Sequence, residues 1–529
     1  MACAAGNADR STEGGWLRTG GAGVLIVAAL ALALHFALNG RYGYWIDELY
    51  FIACGDHLDW GYVDHPPLIA LVAKGSRLLL GDSLFAIRFF PAIAVAALIV
   101  LTGAMAHTLG GGRHAQWIAA IAASVVPVYV LFGNLLTMNA FEPLFWVGCA
   151  YLTALMAKNA SPRLWLVVGI VAGVGMLNKH SMAFFAAALM VGIAVSPQRR
   201  LLLNRWTWLG AALAGLIATP NLLWEMGHGW PTVELLANAK RFQHQPVTPL
   251  EFVWGQIQVV NPCLLPLWIA GLCFLLGAAR AARFRFLGWT FVLQFAAFLW
   301  MQAKTYYLAP IYPVLFAAGA VAIEPRRAWV TIALTGFLLV GFAALAPYVL
   351  PILPVDALPA YLERLGMKEV RPETRQMGNV PQIFADMLGW HELVAEIARV
   401  YEALPADERR HAAIWGVGYG VAGAVDYFGR AYALPKAISG HQNYYLWGPG
   451  EADGTVVIAV GMDGDVLAQW FRHVELAGEV RCDFCMPDRR VTPIHVCREL
   501  TVPMQEFWPL VKCWTCDRPA FAKQRPIAQ

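Results

Sequence analysis

The sequence predicts an α-helical polytopic membrane protein that carries a C-terminal α/β domain. Three observations lead there. Charged residues are 14% of the 529 and apolar ones 58%, whereas a soluble protein carries about 25% charged residues. Apolar runs recur from residue 21 to residue 350, several near the roughly 20 residues that cross a hydrocarbon core. Beyond residue 350 they give way to amphipathic and short strand-like segments. The net charge of +4 is too small to point to nucleic acid, which is not expected as a partner.

In chain order, residues 1–20 are polar and Gly-rich and are expected as a cytoplasmic tail. "GAGVLIVAALALALHFALN" (21–39) is expected as a retained first span, because its apolar run is longer than that of a cleaved leader and many spans follow. Further runs at 83–107, 116–134, 140–157, 164–179, 181–195, 206–223, 251–279, 287–302, 307–323 and 329–350 bring the expected number to about eleven. The two short runs around Asn178 include a candidate re-entrant segment. With the N-terminus inside, the inner loops are "HTLGGGRHA", "KNASPR", "SPQRRLLLNR", "ARAARFRF" and "EPRRA". All carry Arg, and only the last carries an acid, the asymmetry of short cytoplasmic loops.

The same count places the 40–82 loop, the 224–250 loop, the turns at 178–181 and 302–306, and residues 351–529 on the outer face. Residues 21–350 are thus expected as a transmembrane domain in the cytoplasmic membrane. Residues 351–529 are expected as an extracytoplasmic α/β domain. There "VPQIFADMLGWHELVAEIARVYEALPADERRHA" repeats apolar residues at helical spacing. "HAAIWGVGY" and "GTVVIAVGM" read as strands. Cys3, Cys54, Cys149, Cys263 and Cys273 are scattered and are expected as small core residues. Cys482, Cys485, Cys497, Cys513 and Cys516 gather in the tail, where disulfides, a structural metal on the two C-x2-C pairs, or unpaired thiols all fit the spacing.

The polar residues in or beside the spans are Asp47, Glu48, Asp64, His65, Arg88, Asn139, Glu142, Asn178, Lys179, His180, Lys304, Tyr306 and Tyr307. By this topology all lie at outer helix ends or in outer loops, and they are expected to meet in one site, since ionisable groups at membrane depth default to function. Arg88, Glu142 and Lys304, taken singly, fit helix capping or snorkelling equally well. Asp47 and Glu48 are harder to dismiss. Adjacent carboxylates repel, so metal binding, proton abstraction or cation handling would explain them. "DHPP" is rigid and would aim Asp64. His57 and His65 read as surface histidines. In the 226–245 loop, Lys240 and Arg241 are candidate phosphate contacts and His228 and His244 candidate ligands.

The motifs "YWIDELYF", "DHPPL", "TMNAFEPLFW", "GMLNKHS", "PNLLWEMGHGWPT", "KTYYLAPIYP", "FADMLGWHELV", "GAVDYFGRAYALP" and "SGHQNYYLWGP", in this order, resemble bacterial glycosyltransferase family 39. This is the superfamily of protein O-mannosyltransferases and the lipid A aminoarabinose transferase. The resemblance implies a C-type glycosyltransferase fold. It also implies inverting transfer of a sugar from a polyprenyl-phosphate carrier on the outer face to a protein, lipid or glycan acceptor. It makes Asp47 the catalytic base, with Glu48 beside it. It matches the family's second acid, linked to metal or donor phosphate, to Asp64 before His65 and Pro66. Asn139, with Glu142 three residues on, falls where a third family acid often stands. "GYGVAGAV" departs from a stretch that more often reads Asn-Tyr-Gly-Glu, with Gly418 and Val421 in place of the polar pair.

Elementary chemistry supports the same roles. An acceptor hydroxyl needs a carboxylate to take its proton, and Asp47 is the candidate. A leaving lipid phosphate gains negative charge that Arg88, Lys179 and Lys304 suit. A divalent metal (Mg, Mn or Zn) on Glu48, Asp64 or His244 is a candidate cofactor. Asp64, His65, Asn139, Glu142, His180, Tyr306 and Tyr307 are candidate substrate contacts. The competing readings are a transporter or flippase of a lipid-linked substrate, and a catalytically idle relative that binds lipid-linked sugar. Transporters favour internal repeats and midplane sites, and no repeat is evident here.

Overall fold

The computed structural model describes residues 16, 20–242, 247–366 and 378–515. Most of the expected 1–20 tail, Cys3, His244 and Cys516 lie outside them. By internal contacts the chain divides into two compact units. The first holds Met1–Asn39, Phe85–Leu222 and Pro246–Ile352, and the second Gly40–Leu84, Leu223–Gln245 and Leu353–Gln529.

The first unit is helical. Among the described residues five helices are long and apolar enough to cross a membrane: Leu84–Thr108, Met138–Ala157, Arg205–Gly227, Thr305–Ile323 (whose first turn is 3-10) and Ala328–Val349. The number rises to seven if each of two bent pairs is one span. Ala22–Leu38, Leu164–Asn178 and Ser181–Ala194 are shorter apolar helices, and Arg285–Trp300 is a further one of 16 residues. Each expected run thus falls on a helix, except 116–134 and 251–279, which fall on the two bent pairs, and among the described residues five to seven spans are long and apolar enough to cross. At about 1.5 Å per residue, the 15 residues of Leu164–Asn178 fall short of a roughly 30 Å core.

The bent pairs show how broken helices are tolerated. Arg113–Ser124 and Pro127–Gly133 meet at 64°, and Pro249–Val260 and Pro262–Gly277 at 95°. Proline cannot continue either ladder, so carbonyls are released at both breaks. Asn261, in the left-handed region at φ 87°, is buried in the second break. Its Oδ1 accepts the Cys263 N–H at 3.0 Å and its Nδ2 donates to the Val125 carbonyl of the first break at 3.3 Å. One side chain therefore serves both interruptions, as backbone at membrane depth requires.

Helices of the first unit also pack closely. A Cβ on Gly271 or Gly319 would collide with the opposite backbone, so the helices Leu265–Gly277 and Tyr312–Ile323 approach through small residues. The single acid among the arginine-bearing loops also has a structural use. Glu324 accepts the Gly112 and Ala115 N–H groups at 3.0 and 3.3 Å, capping the helix Arg113–Ser124, where a negative charge is favoured. Cys54 and Cys149 are buried, but Cys273 lies on an exposed helix face, where lipid would cover an apolar side chain at little cost.

The second unit is built on a mixed five-stranded sheet, in the order β2-β1-β3-β5-β4. β1 (Ala412–Gly416) pairs in parallel with β2 (Ala437–Ile438) and β3 (Val456–Val460). β5 (Val491–Leu500) pairs antiparallel with β3 and with β4 (Phe471–Arg481). β1 and β3 are buried along their whole length and correspond to the two predicted strand runs. The predicted amphipathic helix is Trp390–Ala403, which buries Trp390, Leu393, Val394, Ile397, Ala398 and Val400. Cys482 and Cys485 form a disulfide, Cys513 is also disulfide-bonded, and Cys497 is a buried free thiol.

Around this sheet the 41–84 segment contributes the helices Ile46–Asp56 and Leu68–Leu80. Asp56 closes the first and accepts from Arg77 at 2.8 Å and Arg430 at 2.7 Å. Burial pushes the Asp56 carboxyl up, but the Arg77 charge and hydrogen bond and the Arg430 charge outweigh it and hold it below the usual range. A carboxyl with a lowered folded value contributes stability above its unfolded value and loses it as pH falls through the folded one. The thermal midpoint of wild type is therefore expected to exceed that of Asp56→Asn at neutral pH. The margin should close only below about pH 4, in a melting series of both proteins in detergent.

Candidate functional site

The candidate residues gather into one cluster in each unit. In the second unit the organising element is the helix Ile46–Asp56, which places Asp47 and Glu48 in its first turn. A helix N-terminus stabilises negative charge, which offsets part of the repulsion between the two. They then diverge. Glu48, fully buried, turns back and accepts the Trp45 N–H at 2.8 Å, closing the first turn as an acid three residues into a helix does. That engagement gives Glu48 a structural role beside the catalytic and metal roles expected of it.

Asp47 is half-buried, and its Oδ1 accepts the Tyr419 hydroxyl at 2.7 Å. Tyr419 begins the helix Tyr419–Phe428, which follows β1 through Val417 and Gly418. This strand–turn–helix presents the phenol because the two helices pack closely. A Cβ on Gly423 would come within 3.0 Å of the Leu49 backbone, so glycine sets the approach. Tyr419 is sandwiched, with the Tyr50 ring at 4.7 Å and the His441 ring at 4.6 Å. Burial, then the neighbouring Asp47 charge, raises its phenol well above the usual tyrosine range. Tyr419 thus stays a protonated donor toward Asp47 throughout the working pH range.

Tyr50 continues the network. Its hydroxyl lies 3.0 Å from Asp64 Oδ1 and 3.1 Å from Asn443 Oδ1, and its one proton serves one of them at a time. Asn443 Oδ1 also accepts the Val63 N–H at 2.7 Å. Asp64 is therefore aimed by Tyr50 as well as by the prolines after it. His65 is fully buried rather than at the surface, stacked on Tyr62 at 4.6 Å, with Nδ1 2.9 Å from the Pro66 carbonyl. His57 stacks on Trp447, and His228 on Trp224. Lys240 and Arg241 occupy the exposed last turn of Pro231–Phe242, where basic residues suit the helix dipole.

In the first unit Lys179 is the centre. It lies in extended conformation between Leu164–Asn178 and Ser181–Ala194. Its Nζ donates to Asn139 Oδ1 at 2.7 Å and Glu142 Oε2 at 2.9 Å. The ammonium sits 4.6 Å from the Tyr307 ring centroid and 5.8 Å from that of Tyr306, in favourable cation–π range. Ser181 Oγ donates to the other Glu142 oxygen. Thr137 caps the helix that carries Asn139 and Glu142. Asn178 Nδ2 donates to the Met138 carbonyl at 2.9 Å and fixes the turn. His180 pairs instead with Asn221, at 2.9 Å. Arg88 is fully buried and braced against Asn39, each donating to the other's carbonyl at 3.2 Å. Lys304, half-buried, opens the 3-10 turn Thr305–Ile311.

Tyr419, Tyr50, His441, Asn443 and Ser181 escaped the sequence reading. Tyr419 stands in "GYGVAGAV", whose Gly418 and Val421 drew attention instead. A Gly-Tyr-Gly turn straight after a buried strand was the available signal. A Cβ on Gly418 would lie 3.2 Å from His441 Nδ1, so the imidazole occupies the space beside that glycine. No three His, Cys, Asp or Glu side chains gather as a metal set among the described residues. Glu48 and Asp64 are each engaged by protein donors, the Trp45 N–H and the Tyr50 hydroxyl.

The Tyr419 contact makes a prediction. If Asp47 is a catalytic base and Tyr419 only orients it, Tyr419→Phe should lower kcat about ten-fold, the worth of one hydrogen bond to a charged group. KM should be unchanged, and steady-state kinetics checks the split.

Residues 64–224 match the family model described as dolichyl-phosphate-mannose-protein mannosyltransferase. The lipid A galacturonosyltransferase RgtD of Rhizobium johnstonii is 26% identical over 253 residues, 46% of this chain and 52% of that protein, so the match spans about half of its length. ArnT from Cupriavidus metallidurans, in the crystal structure bound to undecaprenyl phosphate, superposes with a TM-score of 0.59 at 16% identity, over 89% of this chain and 97% of ArnT. Its apo structure gives 0.58 at 16%, over 92% and 98%. The chain therefore has the fold of ArnT, a C-type glycosyltransferase fold. The family match over residues 64–224 agrees with the resemblance to the mannosyltransferases, the likeness to ArnT is one of fold, and the apolar helices fit a multi-pass membrane protein.

Proposed function

We propose that this chain, a relative of the dolichyl-phosphate-mannose-protein mannosyltransferases with the fold of ArnT, is an inverting membrane glycosyltransferase. It moves a sugar from a polyprenyl-phosphate carrier to an acceptor hydroxyl at the outer face of the cytoplasmic membrane. One observation carries the reading: a half-buried carboxylate at a helix N-terminus, Asp47, held by the protonated phenol of Tyr419. A carboxylate held in place by a donor is suited to accept a proton. The names of the relatives agree in kind, since one acts on lipid A and another binds undecaprenyl phosphate.

In the proposed reaction the acceptor oxygen bonds to the anomeric carbon from the face opposite the phosphate. Its proton passes to Asp47. The bond from carbon to phosphate oxygen breaks, and the lipid phosphate leaves with the electron pair. A fixed cation offsets the charge that develops there. Lys179 has the chemistry for it, as an ammonium already oriented by Asn139, Glu142 and two tyrosine rings.

The test uses the purified full chain in detergent with radiolabelled polyprenyl-phosphate sugars and a membrane extract as acceptor. Wild type and Asp47→Asn are compared, with and without chelator. Label reaching the extract with wild type alone is expected. Equal transfer by Asp47→Asn overturns the base assignment, and no transfer from any donor shifts the chain to a carrier-binding or transport role. The chelator arm tests the metal expectation.

A further inference from the structure

A second binding feature lies in the first unit, among the arginine-bearing loops. A cavity of about 520 Å³ opens between Ala22–Leu38, Arg113–Ser124 and Ala328–Val349. At roughly 30 Å³ of liquid per water, that is far more than one ordered water fills. Glycine makes the space. A Cβ on Gly23 would lie 2.9 Å from the Trp117 ring, and one on Gly20 would lie 2.9 Å from Arg113 Cα.

The wall mixes polar and apolar side chains. His114 Nδ1 pairs with Thr331 Oγ1 at 3.0 Å, and Trp117 Nε1 donates to Thr335 Oγ1 at 3.0 Å. Ile332, 71% exposed, carries the cavity onto an apolar helix face. The mouth is basic. Arg113 lines it and is exposed, with His114 Nε2 3.4 Å from its Nε. Arg326 and Arg327 lead into Ala328, which also lines it. Arg327 makes no side-chain cap on the helix Ala328–Val349, so that N-terminus adds positive potential. Glu324, the nearby acid, is engaged by the Gly112 and Ala115 N–H groups.

We infer that this cavity is a binding site for an anionic phospholipid. The phosphodiester would meet Arg113 and the N-terminus at Ala328, and one acyl chain would run along Ile332. Basic pockets between transmembrane helices take such headgroups. None of its lining residues is among those proposed for sugar transfer, and its test does not read transfer.

Full-length protein in detergent is given phosphatidylglycerol or phosphatidylcholine with identical chains, and retained lipid is counted by native mass spectrometry. Wild type is expected to keep phosphatidylglycerol about ten-fold better than phosphatidylcholine. Arg113→Gln removes the charge. Ala328→Trp fills the cavity from an exposed helix position and spares the core. Each is expected to bring phosphatidylglycerol down to the level of phosphatidylcholine. Equal retention of the two lipids by wild type overturns the proposal, as does undiminished retention in both variants. Displacement of phosphatidylglycerol by an equal concentration of polyprenyl phosphate would assign the cavity to the carrier and also overturn it.

Discussion

Asp47→Asn is expected to lower sugar transfer by about 10²–10⁴-fold, the usual contribution of a general base, with folding and membrane insertion intact. Asparagine keeps the side-chain size and offers Tyr419 a carbonyl oxygen to replace Oδ1, so the packing of Ile46–Asp56 on Tyr419–Phe428 should survive. The basicity is what disappears. Single-turnover transfer measured beside the thermal midpoint separates the two effects. A midpoint close to wild type with transfer lost places Asp47 in the chemistry. Retained transfer removes the base assignment whatever the midpoint does.

The second large effect is expected at Lys179. Lys179→Met should reduce transfer by about 10²–10³-fold if the ammonium faces the departing phosphate. It should also cost about 3 kcal/mol of stability, because Glu142, with 4% of its side chain exposed, loses the charge paired with it at 2.9 Å. A companion variant keeps these apart. In Lys179→Met with Glu142→Gln the stranded charge is gone, so the midpoint should recover most of the loss while transfer stays low. Recovery of transfer together with the midpoint would mean that Lys179 serves the packing of its turn rather than the reaction.

The sequence was most informative where the solvent dictates the pattern. Apolar runs declare themselves as helices without knowledge of their neighbours, and each predicted run lies on one or on a bent pair. The strands β1 and β3 were legible for a similar reason, as short buried apolar stretches bounded by turn residues. Lys179, Asn139 and Glu142 were singled out because charge is rare in such runs, and they do meet. Tyr419 was not, because its partner Asp47 lies 372 residues away and a tyrosine among glycines looks the same whether or not a carboxylate faces it. Glu48 shows the converse limit. A pair of adjacent acids invites one shared explanation, yet the geometry of a helix start sends one carboxylate back to the backbone and leaves the other outward. His65 reads as a surface histidine in the sequence, since a histidine in a loop is more often at the surface than a ligand, yet it is fully buried. Stacking on Tyr62 and the bond to its own following carbonyl bury it.

Asn261 has a bearing on how the chain comes to be assembled. The carbonyl at Val125 is satisfied by a side chain 136 residues further on. During synthesis, the first bent pair enters the bilayer long before that amide exists. Until then its break must keep a water or a translocation-channel group at the Val125 carbonyl, since lipid offers no donor. The two bends are therefore expected to be completed together, once Asn261 is in place.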